Sequence, residues 1–193
     1  MREIGELPWS LFTCKTLVAL KINGKFIFNV PHYVCLPNLK TLRLNSLIYL
    51  NDGLIRKFLL GCPALEELEM RPKWDNRWTL DVSVPSLKKL TLGLHIHEEE
   101  LYHEAGFKYK IMVNAPNLDY LDFYDFVSDY IFVGGLPSVA EARVNVHKSF
   151  QDWDWRKQGN YGNQASRLLK SISNVWRLSL TGYTLRERLL ERI

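Results

Sequence analysis

A chain of 193 residues with 47% apolar and 24% charged residues carries enough hydrophobic matter for a buried core, which excludes a disordered or fibrous class. Its 25 basic and 21 acidic residues are spread along the chain and leave a net charge of +4, so no basic block marks a nucleic-acid surface. No run approaches the roughly 18 apolar residues of a spanning helix, and Met1 to Ser10 lacks the apolar core of a secretory signal, so the expected location is cytoplasm or nucleus.

In chain order, one pattern returns: an apolar residue, two variable residues, a second apolar residue, one variable residue and a third apolar residue. Leu17-Val18-Ala19-Leu20-Lys21-Ile22 is the first copy, and Pro37 to Leu44 holds the second, with Leu39, Leu42 and Leu44 at the apolar places. Asn51 or Asp52 then offers an N-cap, Leu54, Ile55, Phe58 and Leu59 recur at helical intervals, and Gly61 followed by Pro63 stops the helix. Pro63 to Met70 is the third copy. Trp78 to Ser83 alternates with a period near two, as a half-buried strand does, ahead of the fourth copy at Pro85 to Leu92. Phe107 to Ile111 alternates in the same way before the fifth copy at Pro116 to Phe123. Pro137 to Val144 is the sixth. Ala165, Leu168, Leu169 and Ile172 repeat the helical spacing before the seventh, Val175 to Leu180.

The first apolar positions, 17, 39, 65, 87, 118, 139 and 175, are separated by 22, 26, 22, 31, 21 and 36 residues. Four of these six spacings fall in the leucine-rich-repeat range of about 20 to 29 residues. Within a copy the last two apolar residues are two apart, so both point to one side of a short strand, and stacking the strands in parallel seals that side. The expected fold is therefore α/β: a single leucine-rich-repeat solenoid over 1–193, with a parallel concave sheet of about seven short strands. Its outer wall should mix helix and strand. The two long spacings place insertions at about Ile96 to Gly106 and Lys148 to Gly159.

Residues between the leucines then line an open face in columns. The central one reads Lys21, Arg43, Glu69, Thr91, Asp122, Arg143 and Ser179. Thr41, Glu67, Lys89, Tyr120, Glu141 and Arg177 flank it on one side, and Asn45, Arg71, Tyr124 and Asn145 on the other. Mixed signs with two tyrosines suit recognition of a protein or peptide, and Arg43, Glu69, Tyr120, Asp122, Tyr124 and Arg143 are the candidate partner-binding residues. Any soluble solenoid also places polar residues there, so solvation alone is the competing explanation.

Other conspicuous residues point to structure. Cys14, Cys35 and Cys62 are odd in number, contain no C-x-x-C pair, and stand just before leucine motifs, which suits buried thiols in a reducing compartment. His95, His97 and His103 beside Glu98, Glu99 and Glu100 have metal-binding chemistry but match no ligand spacing, and a solvated loop is the expectation. Phe150, Trp153 and Trp155 should cap a neighbouring repeat, since no basic groove accompanies them. No nucleophile elbow, phosphate loop, dinucleotide fingerprint or H-E-x-x-H motif is present, so no catalytic, cofactor-binding or metal site is expected.

The chain resembles the leucine-rich-repeat region of plant F-box proteins that often carry an FBD module. Leu7-Pro8-Trp9-Ser10-Leu11-Phe12-Thr13-Cys14-Lys15-Thr16-Leu17 carries much of the likeness, with Leu60 to Leu68 and Val113 to Leu118. Leu169 to Val175, with Leu178-Ser179-Leu180 behind it, is similar to the start of the FBD region, so 165–193 is expected to be a truncated FBD segment. The resemblance implies a non-catalytic substrate-recognition region of a cullin-based ubiquitin ligase, whose partner is the protein to be ubiquitinated. The family's F-box grips the ligase's linker subunit. Here Ser10 to Thr16 runs straight into a repeat, so no F-box is expected and neither is binding of that subunit. Two alternatives stay open: a stand-alone repeat fragment acting as decoy or scaffold, and a nucleic-acid-binding domain, which steep salt dependence would reveal.

Overall fold

Every copy of the repeat forms a short strand in the computed structural model, which describes residues 5–24, 26–45, 52–71, 79–93, 110–125, 129–132, 135–146, 167–172 and 174–181. The elements are β1 (Gly5–Glu6), a 3-10 helix at Trp9–Thr13, β2 (Ala19–Asn23), β3 (Phe26–Ile27), β4 (Thr41–Asn45), α1 (Asp52–Leu60) and β5 (Glu67–Arg71). They continue with β6 (Thr79–Ser83), β7 (Lys89–Gly93), β8 (Lys110–Asn114), β9 (Tyr120–Asp125), β10 (Asp129–Phe132), β11 (Glu141–Val146) and β12 (Arg177–Leu180). A helical turn at 167–171 precedes β12.

Seven strands, one per repeat, join in a single parallel sheet ordered β12-β11-β9-β7-β5-β4-β2. The register aligns Leu20, Leu42, Leu68, Leu90, Leu121, Ala142 and Leu178 in one row, and Ile22, Leu44, Met70, Leu92, Phe123, Val144 and Leu180 in the next. These rows, with Leu39, Leu65, Leu87, Leu118 and Val139, build a continuous buried spine. Leu178 is the exception at 44% exposed, because no further described strand lies on the outer side of β12.

The turn before each strand explains the prolines. In all seven repeats the first apolar residue donates its amide to the carbonyl three positions back: Leu17 to Cys14, Leu39 to Leu36, Leu65 to Cys62, Leu87 to Val84, Leu118 to Ala115, Val139 to Leu136 and Val175 to Ile172. Pro37, Pro63, Pro85, Pro116 and Pro137 occupy the second place of that turn, where a fixed φ near −65° is already correct and no donor is lost. Asn38, Asn117 and Ser138 then reach the carbonyls of Lys15, Pro85 and Pro116 in the preceding coil, at 2.7, 2.9 and 2.9 Å.

A second ladder runs from coil to coil. The carbonyl of Val18 accepts the amides of both Lys40 and Thr41. Lys40 does the same for Glu66 and Glu67, Glu66 for Lys88 and Lys89, Lys88 for Asp119 and Tyr120, Asp119 for Ala140 and Glu141, and Ala140 for Trp176 and Arg177. Six such links at 2.8–3.2 Å tie the seven coils together.

The outer wall is mixed. Helix α1 buries Ile55, Phe58 and Leu59, while β6, β8 and β10 form a parallel sheet ordered β10-β8-β6. Sequence alternation located β6 and overlaps β8, which among the described residues runs from Lys110 to Asn114, past the Ile111 where the alternation was expected to end, and pairs Leu80 with Ile111 and Val82 with Val113; residues 107–109 of the expected strand lie outside the described residues. The third outer strand, β10, carries no alternation that marks it in advance. Near the amino-terminal end β1 pairs with β3, and Phe12, Phe28 and Phe58 meet edge to face at centroid distances of 5.3 to 6.5 Å.

The three cysteines are free thiols, but they are not equivalent. Cys14 and Cys62 begin their turns, whereas Leu36 begins the second one and Cys35 stands one residue earlier. Cys62 is fully buried, donates to the Phe58 carbonyl at 3.3 Å, and burial pushes its thiol up to about 12. Cys14 is half-buried, and the Thr16 hydroxyl bonded to it lowers its pKa. Gly61 ends α1 without the left-handed backbone that a C-cap glycine usually supplies. Glycine is required there because a Cβ would lie 2.7 Å from the Val34 carbonyl oxygen, and that same approach lets Leu36 donate to the Gly61 carbonyl at 2.9 Å. The insertions at 96–106 and 148–159, with their histidine and tryptophan clusters, lie outside the described residues.

Two substitutions check this packing by chemical denaturation. Leu90→Ala should cost about 2–5 kcal/mol, whereas Leu178→Ala should cost less than about 1 kcal/mol, and equal losses would mean the rows do not form one spine. Gly61→Ala should cost about 1–3 kcal/mol through overpacking against Val34, and an unchanged midpoint would refute the close approach.

Candidate functional site

Because alternate residues of a strand point to opposite sides, burying the two leucine rows drives the residues between them onto the open face of the sheet. The register sets Lys21, Arg43, Glu69, Thr91, Asp122, Arg143 and Ser179 across seven neighbouring strands. On one side of this row lie Thr41, Glu67, Lys89, Tyr120, Glu141 and Arg177. On the other, Asn23 pairs with Asn45 and Asn45 with Arg71, while Gly93 pairs with Tyr124 and Tyr124 with Asn145.

The charges on this face are organised around shared glutamates. Glu69 faces Arg71 Nε at 3.1 Å and Arg43 Nε at 3.5 Å, and Arg43 also reaches Glu67 at 3.8 Å. Glu141 is shared by Arg177 at 3.3 Å and Arg143 at 3.6 Å. Between the two networks stands Tyr120. The Lys89 ammonium sits 4.9 Å from its ring centroid and the Arg143 guanidinium 5.9 Å from it. Burial and the neighbouring Asp122 carboxylate raise the Tyr120 pKa.

Four of the six residues singled out from sequence, Arg43, Glu69, Tyr120 and Asp122, line one shallow depression of about 110 Å³. Glu67, Leu68, Arg71, Lys89 and Thr91 complete it. Arg143 is placed beside it through Tyr120, and Tyr124 lies in the flanking row, neither lining the depression itself. Sequence reasoning placed Arg71 and Lys89 on the face but did not rank them. Their contacts with Glu69 and Tyr120 come from side-chain direction across strands, which repeat spacing does not encode. Gly93 has a similar hidden role: it leaves space beside Arg71, whose Cγ would lie 3.1 Å from an added Cβ.

A separate charged edge follows the turns that precede the strands. The Lys88 ammonium donates to Glu66 at 3.3 Å and Lys40 faces the same carboxylate at 3.5 Å, so the two lysines lower the Glu66 pKa. That edge is paired with itself, lysine against carboxylate. Among the described residues no group of three or more metal-ligating side chains occurs, and the histidine cluster in 95–103 is not among them.

The chain matches a family model described as "FBD-associated F-box protein At5g56370, LRR repeats" over residues 2–135. Among curated proteins it is similar to FBD-associated F-box protein At4g10400 of Arabidopsis thaliana, 36% identical over 91% of this chain and 37% of that one. It is also similar to F-box/FBD/LRR-repeat protein At5g56420, 34% identical over 91% of the chain and 37% of that protein, and to F-box protein At4g09920, 45% identical over 72% and 43%, both from Arabidopsis thaliana. The chain thus spans 37 to 43% of the length of these relatives. No solved structure matches it significantly.

If the face is free of structural duty, its ion pairs should contribute little to folding. Glu69→Gln should change the unfolding free energy by less than about 1 kcal/mol, since the pairs are partly solvated, while Leu68→Ala beside it should cost about 2–5 kcal/mol. A large loss from Glu69→Gln would make the network a structural element.

Proposed function

The chain belongs to the leucine-rich-repeat family of FBD-associated F-box proteins, and on that premise we propose that its concave sheet face holds the protein to be ubiquitinated by a cullin-based ligase. The observation that carries this reading is the division of labour within each strand. Leu42, Leu68, Leu90 and Leu121 are fully buried or nearly so, while Arg43, Glu69, Thr91 and Asp122 between the rows stay solvent-accessible on one continuous surface. Arginine and tyrosine, the side chains that dominate interface energetics, are gathered there.

The family's members are interaction proteins, and this reading makes the present chain non-catalytic as well. Substrate holding is assigned to these residues, and docking to the ligase's linker subunit to an F-box outside them, so the chain alone should not retain that subunit. Residues 165–193 would open an FBD region, whose strand β12 continues the repeat sheet. Cytoplasm or nucleus is the location this role requires.

Proximity labelling in plant cells tests the reading. The triple charge reversal Arg43→Glu, Glu69→Arg and Arg143→Glu should abolish the partner set of the unaltered chain while leaving the circular-dichroism spectrum unchanged. An identical partner set for both proteins would remove the concave face from the function, and direct retention of the linker subunit would overturn the assignment of ligase docking.

A further inference from the structure

Strand by strand, the concave face has a charge order that the docking reading does not explain. Lys21 on β2, Arg43 on β4, Arg71 on β5, Lys89 on β7, Arg143 on β11 and Arg177 on β12 put one cation on every strand of the sheet but one. The exception is β9, which presents Tyr120, Asp122 and Tyr124. Among the described residues, six cations on this face meet four carboxylates, Glu67, Glu69, Asp122 and Glu141. The turn edge, by contrast, alternates Lys40, Glu66, Lys88 and Asp119.

The excess is also chemically available. Glu69 and Glu141 each serve two arginines, so one guanidinium from each can turn to a new acceptor and leave the glutamate paired. Such solvated pairs contribute little to stability, so turning one guanidinium away costs little. Among the described residues Lys21 has no carboxylate partner, and Lys89 has only the Tyr120 ring at 4.9 Å. Six interstrand steps of about 4.8 Å make the face about 29 Å wide, the span of roughly nine residues of extended chain.

We propose that the occupant is an extended acidic segment of the partner protein, laid across the strands. Its carboxylates meet the cations on both sides of β9, and one apolar or aromatic side chain rests at Tyr120 and Tyr124. This rests on the docking reading and adds the chemistry of the partner to it. The two positive charges beside Tyr120 select the pattern: carboxylates bridge Lys89 and Arg143, and a flat apolar group fits the strand that lacks a cation.

Selection of a random peptide library of about twelve residues on the whole chain tests this, followed by affinity measurements on the selected peptides. The expected result is enrichment of peptides with acidic residues flanking a central aromatic or aliphatic one. Their affinity should fall at least about tenfold with Lys89→Glu plus Arg143→Glu, and less than about threefold with Lys110→Glu on the outer sheet. Lys89→Gln plus Arg143→Gln should show the same ranking should the reversal impair folding. Neutral or basic peptides that are lost on the concave substitutions would overturn the acidic segment and keep the docking face. Selected peptides indifferent to those substitutions would overturn both. Tighter binding of a single-stranded oligonucleotide than of any selected peptide would overturn the choice of a protein partner.

Discussion

In six places along the solenoid a single carbonyl accepts two amides from the coil that follows, and the rest of the molecule depends on that bond pair. It sits at the start of every strand of the concave sheet but β2, so it fixes where the strand starts relative to its neighbour. A slip of one residue would turn every leucine outward, because side chains alternate along a strand. Set in register, the leucine rows close over one another and exclude water from a core that no single strand could bury. The turn in front of the bond pair is held by its own hydrogen bond and, in five repeats, by a proline whose rigidity suits it.

From that constraint follows the separation of the buried spine from the open face. Core rows and open columns alternate on the same strands of four to six residues, so Leu68 is buried while Glu69, adjacent to it, stays on the open face. The turn edge and the concave face illustrate two outcomes, one paired lysine to carboxylate and the other left with surplus cations around a tyrosine.

How much of this was legible in the sequence depends on whether a feature repeats. The seven strands, their parallel order and the membership of the central column all follow from one recurring pattern, and Leu42, Leu68, Leu90 and Leu121 fall where it places them. Features without repetition were harder to see. The outer wall changes from helix to strand between coils, which is why nothing in the sequence marks β10 and the alternation over 107–111 does not show that β8 continues to Asn114. Phe28 gives no periodic signal, yet it joins Phe12 and Phe58 from distant segments. Cys35 resembles its fellow cysteines in sequence, but the turn begins one residue later. For the candidate site, composition singled out Arg43, Glu69, Tyr120 and Asp122, which line one depression, whereas the contacts of Arg71 and Lys89 follow only from the direction of side chains across strands.

Hydrogen exchange of individual amides by NMR tests the stacking account most directly. The paired amides of Glu66 and Glu67, Lys88 and Lys89, and Asp119 and Tyr120 should be the slowest to exchange, with protection declining toward β2 and β12, where the ladder ends. Fast exchange at those central pairs, beside slow exchange elsewhere in the chain, would contradict a solenoid held together by shared carbonyls.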